Sequence, residues 1–216
     1  MSDAPRPTGR VEAICVVHTE HPVLKGERTA IDKRPVAGRV RIATLGPVGD
    51  HVVDTRHHGG DDQAVYAYSE AEAGRWADDI DNPIPPGRFG ENLRISGLPI
   101  TDAVVGEQWA IGDTLLAVTG PRTPCAKFAE WMAEPRWVRR FAERGDVGAY
   151  LRVLREGTIG AGDTVEVVHV PEHSVTVREL FRLDDIDRLA VLLDEPGLSR
   201  ASRHRVERAV RKRVRR

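Results

Sequence analysis

Short runs of β-branched and other apolar residues, bounded by Gly and Pro, recur along the first 170 residues of the chain. Runs of this length and composition are typical of β-strands. The predicted strands are Val11–His18, Arg39–Leu45, His51–Thr55, Ala64–Tyr68, Gln108–Ile111, Thr114–Thr119 and Thr164–Val170. Gly112 and Asp113 separate two of these runs and predict a hairpin. The first part of the chain is therefore predicted to be mainly β.

Apolar residues at helical spacing occupy other segments of the chain. The predicted helices are 69–80, 126–132 and 136–143 in the strand-rich part, and 176–183, 185–193 and 199–214 after Pro171. Ser69 and Glu72 form the signature of a capping box at the start of the first helix. Pro135 separates the second helix from the third. The last three helices predict a small appendage on the strand-rich main domain.

The composition and the N-terminal residues indicate a globular protein outside the membrane. Hydrophobic residues make up 40% and charged residues 30% of the 216 positions, which excludes a disordered chain. No apolar run approaches the roughly 18 residues that a membrane span needs. The first eight residues are polar and lack the apolar core of a secretory signal. We therefore expect a cytoplasmic protein that does not bind membranes.

The net charge of −1 conceals a basic C-terminus. Residues 197–216 contain nine basic residues and one acidic residue, so the rest of the chain carries a net charge of −9. Such a segment can bind nucleic acid or another polyanion. However, Ser199 can cap a helix here, apolar residues recur at helical spacing, and cations offset the dipole at a helix C-terminus. We favour a solvated helix face over nucleic-acid binding, because no recognition motif accompanies the charge.

Two cysteines exclude a disulfide framework and a four-cysteine zinc site. Cys15 lies inside an apolar strand and is assigned to the core. Cys125 precedes the predicted helix 126–132 and has Arg122 and Lys127 nearby. A helix N-terminus and neighbouring cations favour the thiolate, which is a nucleophile and a ligand for soft or high-valent metals. A small buried residue is the equally weighted alternative for Cys125.

Four stretches rich in Gly, Arg, His and Asn lie at predicted loops or strand edges. They are residues 29–35, 56–62, 86–93 and 120–125. Paired glycines let backbone N–H groups approach an anion, and neighbouring cations supply charge. Taken singly, each stretch is better explained as turn chemistry, and none matches a Walker A or Rossmann motif. Since His57 and His58 are adjacent on a strand and point to opposite faces, only one of them is expected in a site.

The order of these motifs resembles the MOSC domain family, named for the C-terminal domain of molybdenum cofactor sulfurases. The matching residues are KRPV at 33–36, HHGGDDQAVYAY at 57–68, PGRFGENL at 86–93 and PRTPCAKF at 121–128. Their combination in this order is specific, whereas each motif alone is weak. The resemblance covers about residues 30–216, and it is in particular to the stand-alone bacterial YiiM-like members, which end in a three-α-helix domain.

The resemblance implies a closed, mostly antiparallel β-barrel with peripheral helices, a mainly β fold. Together with the change of composition after Pro171, it divides the chain into three parts. These are an N-terminal segment with the first strand (1–28), a MOSC β-barrel domain (29–170) and a three-α-helix domain (171–216).

The resemblance also implies a molybdenum cofactor, a pterin whose phosphate needs an anion site and whose metal takes a cysteine thiolate. Cys125 matches the family cysteine and is the expected metal ligand and catalytic residue, with His58 as a second catalytic residue. The expected cofactor-binding residues are Lys33, Arg56, His57, Gly59, Gly60, Tyr66, Asn92 and Arg122. The chain departs from the family at residues 60–63, which read GDDQ where relatives commonly have Pro second and Lys fourth.

YiiM-like members are associated with reduction of N-hydroxylated compounds, including hydroxylaminopurine-like base analogues. By resemblance, we expect an oxidoreductase that reduces a small N-hydroxylated substrate at the molybdenum cofactor. Since the chain has no flavin or nicotinamide motif, the electrons must come from a separate flavin- or iron-sulfur-type donor. The alternative is a non-catalytic cofactor-binding module or a sulfur carrier with a persulfide on Cys125.

Overall fold

Strand β1 (Thr8–Pro22) organises the sheet, because it pairs with three different strands. The computed structural model describes residues 7–23, 27–54 and 59–215. Within these residues the other strands are β2 (Arg28–Pro35), β3 (Arg39–Ala43), β4 (Gly46–Pro47), β5 (Val65–Ser69), β6 (Leu93–Ser96), β7 (Gln108–Ile111), β8 (Thr114–Pro121), β9 (Ala149–Arg155), β10 (Gly157–Gly160) and β11 (Thr164–His169). The α-helices are α1 (Glu70–Ile80), α2 (Ala126–Met132), α3 (Trp137–Arg144), α4 (Val177–Arg182), α5 (Ile186–Ala190) and α6 (Arg200–Val214).

Seven strands of the described part of the chain close into a barrel. Their order is β1, β6, β5, β9, β8, β7 and β11, and β11 pairs again with β1. The first residues of β1 pair with β11 and its middle with β6, while its C-terminal half pairs with β2 outside the ring. Strands β10, β3 and β4 form a second, small sheet. The prediction of a closed, mainly β barrel with peripheral helices is confirmed.

The barrel is mostly antiparallel, as expected, and one of its strand pairs is parallel. Strands β5 and β6 are parallel, with Ala67 opposite Leu93. Helix α1 is the reason, because a helical crossover between them brings the chain back in its original direction. Ser69 caps this helix by accepting a hydrogen bond from the backbone N–H of Glu72. The Glu72 carboxylate accepts a hydrogen bond from Thr101 at 2.8 Å, so only half of the predicted capping box forms.

The predicted strand 51–55 is wrong over the four residues that the structure describes. Residues 51–54 belong to no strand. Asp50, directly before them, accepts hydrogen bonds from the backbone N–H of Val17 and from Lys33 Nζ, which hold the chain against β1 and β2. Val52 and Val53 are consequently 38% and 39% exposed, without the strand partner that their β-branched side chains favour.

Buried aromatic rings fix the helices on one side of the barrel. Trp76 on α1 contacts Trp137 on α3, with ring centroids 4.6 Å apart. Phe128 on α2 packs edge-on against Phe141 at 5.1 Å and against Phe89 at 5.8 Å. Edge-to-face pairs at these distances are favourable beyond the area they bury. This cluster holds α2, and therefore the residue that precedes it, in a fixed position.

Three helices follow the last barrel strand. Thr176 caps α4 through a complete capping box with Glu179. Helix α5 is shorter than the predicted segment 185–193, because a 3-10 turn over Val191–Asp194 follows it. Ser199 caps α6 by accepting from the backbone N–H of Ser202. No helix in the described ranges is long and apolar enough to cross a membrane.

Candidate functional site

A cavity of about 410 Å³ opens where β2, the segment 45–54, the glycine loop 59–63 and the start of α2 meet. Seven of the predicted site residues line it: Lys33, Gly59, Gly60, Tyr66, Asn92, Arg122 and Cys125. The other three, Arg56, His57 and His58, lie outside the described residues. The fold therefore brings motifs that are far apart in sequence to one cavity.

Cys125 is the residue that directly precedes α2. Its side chain is half-buried and packs against the hydrophobic core. Lys127, two residues later, forms ion pairs with Glu27 at 2.8 Å and Asp54 at 3.0 Å. The charge of this lysine is therefore compensated within the protein, and Arg122 is the other cation of the same motif.

Arg122 is buried to all but 6% of its surface. Its guanidinium carbon lies 3.8 Å from the centre of the Phe128 ring and 5.7 Å from that of Tyr66. One of its terminal nitrogens, Nη1, is buried and has no hydrogen-bond partner among the described residues. Buried donors in native proteins are almost always paired. This unpartnered cationic donor, in the wall of a cavity, points to an anionic ligand.

Asp50 compensates the charge of Lys33 and fixes the part of the cavity wall that contains Lys33 and Asn92. Its carboxylate accepts hydrogen bonds from Lys33 Nζ at 2.5 Å, from Asn92 Nδ2 at 2.8 Å and from the backbone N–H of Val17 at 2.9 Å. Asn92 Nδ2 also donates to the carbonyl oxygen of Cys15, and Asn92 Oδ1 accepts from the backbone N–H of Tyr66. Lys33 and Asn92 thus shape the cavity while their polar groups are already engaged.

The glycine-rich motif 86–93 has a structural role, because its backbone N–H groups bind a carboxylate of the same motif. Glu91 is fully buried and accepts hydrogen bonds from the backbone N–H groups of Gly87 at 2.8 Å and Phe89 at 2.9 Å. Arg94 donates to the same carboxylate. A Cβ atom on Gly87 would lie 2.1 Å from the carbonyl oxygen of Lys33. Glycine is therefore required here to bring the motif against β2, beside the cavity.

Two tyrosines that line the cavity hold their protons at neutral pH. Burial raises the pKa of Tyr66 well above its usual range, and burial also raises the pKa of Tyr150. The Tyr66 hydroxyl donates to the carbonyl oxygen of Val147 at 2.9 Å. The Tyr150 ring lies 5.3 Å from that of Tyr66, and its hydroxyl has no hydrogen bond within the described ranges. Tyr150 therefore offers a neutral hydroxyl donor in the cavity wall.

The second cysteine, Cys15, differs from Cys125 in its position in the fold and in its burial. Cys15 lies on β1, is fully buried, and has a pKa that burial raises to about 12. The assignment of Cys15 to the core is confirmed. Among the described residues there is also no cluster of three or more His, Cys, Asp or Glu side chains placed to hold a metal ion.

Comparison with known proteins identifies the family. A sequence model of the MOSC domain matches residues 54–166, more than half of the chain. The chain belongs to the MOSC domain family. It is 30% identical over 174 residues to YflK, an uncharacterized protein of Bacillus subtilis, and this match covers 81% of the chain and 79% of YflK. The resemblance inferred from the motif order is confirmed.

Two further proteins extend the comparison. The crystal structure of YiiM from Geobacillus stearothermophilus matches this MOSC protein with a TM-score of 0.78 at 25% identity, covering 93% of this chain and 98% of that one. A protein of Gibberella moniliformis named Reductase is 34% identical over 167 residues. That match covers 74% of this chain and 29% of the fungal protein, so this chain corresponds to less than a third of its length.

The loop 59–63, which departs from the usual MOSC sequence, is fixed by contacts to strand β9 and helix α6. Gly59 and Gly60 have positive φ angles of 83° and 76°, and the Gly59 N–H donates to Gln63 Oε1 at 3.3 Å. Asp62 forms an ion pair with Arg152 and accepts the backbone N–H of Arg200 at 2.8 Å. Burial would raise the pKa of Asp62, but these hydrogen bonds from Arg152 and Arg200 lower it. The aspartate in this MOSC domain thus joins the cavity loop to helix α6.

Sequence reasoning missed two contributors to the site. Asp50 was not among the predicted site residues, because a carboxylate in a loop gives no indication of the lysine that it will contact. Tyr150 lies on β9, which was not predicted, although Leu151 and Val153 alternate with polar residues as in a strand. Recognising that alternation would have placed Tyr150 on a strand of the barrel, where it pairs with β5 and β8.

Proposed function

We propose that this MOSC protein binds a molybdenum-pterin cofactor in the cavity and reduces N-hydroxylated compounds there. The proposal is carried by one observation: the buried side chain of Arg122, whose Nη1 has no hydrogen-bond partner among the described residues, and the half-buried thiol of Cys125 line the same cavity. A cationic donor suits a phosphate, and a thiolate suits a soft or high-valent metal. The name of the fungal relative, Reductase, supports the reaction class.

The residues present fit such a cofactor. Arg122 would bind its phosphate, and Cys125 would be the protein ligand of its metal. One protein thiolate is a suitable donor set for a metal that an organic ligand already holds. Lys33 and Lys127 keep their internal carboxylate partners and would orient the group without having to neutralise it. When bound, the molybdenum centre supplies two-electron redox chemistry.

The proposed reaction consumes two electrons and two protons for each substrate molecule. The N–O bond of an R–NHOH compound breaks, an N–H bond forms, and the oxygen leaves as water. Tyr150 keeps its own proton at neutral pH and is available to donate a hydrogen bond to the hydroxylamine oxygen. Phe89 and Ile31 line the same cavity and limit the access of water to the reacting group. His58 is the other expected catalytic residue and lies outside the described residues.

The exposed rim of the cavity offers apolar contacts to a substrate. Leu45, Val52 and Val53 line it and are exposed, with 70% of the Leu45 surface accessible. Exposed apolar side chains around a polar cavity are typical of binding sites. An aromatic N-hydroxyl compound, such as a hydroxylamino base analogue, would contact this rim with its ring and present its N–O group inward.

The test is a parallel measurement of cofactor content and turnover in protein from a host that makes the cofactor. Wild type, Cys125→Ala, Arg122→Gln and Cys15→Ala are compared by metal analysis and by reduction of a hydroxylaminopurine with reduced viologen. We expect bound molybdenum and turnover in wild type and Cys15→Ala, and loss of turnover in the two cavity variants. Equal molybdenum and equal turnover in all four proteins would rule out the proposed site.

A sulfur carrier is the second candidate, because Cys125 is a partly accessible thiol and Cys15, the other cysteine, is buried in the core. This function predicts a persulfide on Cys125 that mass spectrometry detects and that reductants remove. It also predicts no N-hydroxyl reduction with any electron donor, so turnover with reduced viologen would exclude it.

A further inference from the structure

One face of helix α6 carries a continuous row of basic side chains. The row, called the basic stripe below, consists of Arg200, His204, Arg208, Arg211 and Arg215, all of them exposed. At 3.6 residues per turn, these spacings of three and four confine the five side chains to a sector of about 80°. The opposite face of the helix is buried through Ser202 and Val206.

The protein itself compensates little of this charge. Within the described ranges, Arg211 is the one member of the basic stripe with an ion pair, to Glu207 at 3.5 Å, and its side chain is still 59% exposed. Arg203 and Arg205, on the flanks of the stripe, serve the fold by donating to the carbonyl oxygens of Leu193 and Phe181. The stripe is therefore positive surface that packing does not require.

The basic stripe begins at the loop that forms part of the cavity wall. The backbone N–H of Arg200 donates to Asp62 at 2.8 Å, and Asp62 directly precedes Gln63, which lines the cavity. Gly60, two residues before Asp62, also lines it. A partner that lies along the stripe therefore reaches the cavity loop at its end.

We propose that the basic stripe docks an acidic electron-transfer protein, either a small flavoprotein or a small iron-sulfur protein, which delivers electrons to the cavity. The inference rests on the proposed reductase function, which needs two electrons from outside the chain for each N–O bond that breaks. A positive surface favours an acidic partner. Because the stripe begins at the cavity loop, a partner docked along it brings its redox group towards the cavity. The remaining body of the chain, with a net charge of −9, repels such a partner elsewhere.

Two matched variants test the docking surface in the full-length protein. The stripe variant carries Arg208→Gln, Arg211→Gln and Arg215→Gln, and the control variant carries Arg10→Gln, Arg136→Gln and Arg139→Gln on β1 and around the start of α3. Both lose three positive charges at exposed positions, and glutamine keeps the helix propensity close to that of arginine. Circular dichroism and thermal unfolding verify that both fold as the wild type does.

Binding is measured by calorimetry with an acidic flavodoxin and an acidic ferredoxin as probes, at about 50 mM and about 300 mM salt. We expect binding that weakens with salt, a loss of about tenfold in affinity for the stripe variant, and little change for the control. Turnover with reduced viologen should be equal in all three proteins, whereas turnover with the protein donor should fall with the stripe variant alone.

Several results would overturn the inference. Wild type that binds neither probe at low salt, or a stripe variant that binds as tightly as the control, removes the docking site. So does a stripe variant that changes only duplex DNA binding, vesicle binding or self-association. Absence of viologen-driven turnover in wild type overturns the proposed function instead, and it is distinguishable because the binding comparison does not depend on turnover.

Discussion

Asp62 accepts a hydrogen bond from the backbone N–H of Arg200 at 2.8 Å, and this contact joins the cavity loop to the first turn of the C-terminal helix α6. The same carboxylate forms an ion pair with Arg152 on barrel strand β9. One side chain thus fastens the loop, the barrel and the helix together.

Replacing Asp62 with Ala is expected to loosen the start of α6. Ser199 still caps the helix, so the variant loses one hydrogen bond to the first turn and leaves a partly buried arginine without its partner, which together cost about 1–3 kcal/mol of stability. Amide hydrogen exchange should accelerate in the first turn of α6 and in the loop 59–63. Since the pKa of Asp62 is lowered in the folded protein, its contribution is present at neutral pH and is lost as the pH falls below its usual value of 3.8.

Asp61→Ala is the matched control, because Asp61 is the exposed neighbour in the same loop. It should leave exchange in α6 unchanged. Equal protection of α6 in the two variants would show that Asp62 does not couple the loop to the helix.

Glu72 is expected to make stability depend on pH near neutrality. The residue is 3% exposed, and burial raises the pKa of its carboxyl from 4.5 to about 7, against the hydrogen bond from Thr101. The folded protein therefore binds this proton more tightly than the unfolded chain does. The resulting stability is full below pH 4.5 and is lost as the pH rises to about 7.

Glu72→Gln should therefore stabilise the protein above neutral pH and leave it nearly unchanged in acid. Each pKa unit corresponds to about 1.4 kcal/mol, so the gain is up to about 3 kcal/mol. Urea unfolding at about pH 5 and about pH 8 measures the difference, with exposed Glu172→Gln as the control for lost charge. The same effect of Glu72→Gln at both pH values would contradict the prediction.

Local sequence predicted the parts of the fold whose signals are local. The hairpin of β7 and β8, the Ser69 cap and the start of α2 after Cys125 depend on turn and capping residues that stand next to them in the chain. The segment 51–54 was predicted wrongly, because its β-branched residues indicate a strand whereas the anchoring of Asp50 to Lys33 and Val17 decides its path. Contacts between residues so far apart leave no trace in a short window.

Many residues of the candidate site could be predicted from the sequence, but the contacts that each of them makes could not. The motif order predicted Arg122 and Lys33 as equivalent cofactor-binding cations, but their bonding in the structure differs. Lys33 has Asp50 as a partner, whereas Arg122 Nη1 has no hydrogen-bond partner in the part of the chain that is described. For the motif containing Gly87 and Glu91, the local sequence favoured a turn over an anion site, and its amides bind the Glu91 carboxylate of the same motif. Which groups are already satisfied is a property of packing.

Gly87 is expected to tolerate no side chain. Its φ angle is 88°, and a Cβ atom would lie 2.1 Å from the carbonyl oxygen of Lys33, which is backbone and cannot move away. Gly87→Ala should therefore cost about 3 kcal/mol or more, as strain and steric overlap add. Gly38 is the matched control, because its φ angle is 79° and a Cβ atom added there would have no other atom within 4 Å.

Gly38→Ala should cost only the strain of its backbone conformation, about 1 kcal/mol. Denaturant unfolding of both variants separates the two contributions. Equal losses would mean that the contact between Gly87 and β2 does not constrain the cavity wall.

Arg122 and Arg94 are both buried arginines, and they are expected to respond in opposite ways to replacement by methionine. Arg94 pairs with the fully buried Glu91, so Arg94→Met leaves a carboxylate without its partner and should cost about 3–5 kcal/mol. Arg122 has no such carboxylate among the described residues. Arg122→Met therefore removes a desolvated charge, retains contact with Phe128, and should leave the stability of the ligand-free protein unchanged or raise it by about 1–2 kcal/mol.

The same substitution should abolish the response of the protein to anions. Ligands that bind the folded state raise its melting temperature, so added inorganic phosphate is expected to stabilise wild type and to have little effect on Arg122→Met. Lys33→Met serves as a comparison, since its charge is already paired with Asp50. If phosphate stabilised Arg122→Met as much as wild type, Arg122 would not be the anion-binding group of the cavity. If Arg122 is an anion-binding group, its buried charge lowers the stability of the ligand-free protein, and binding of an anion restores that stability.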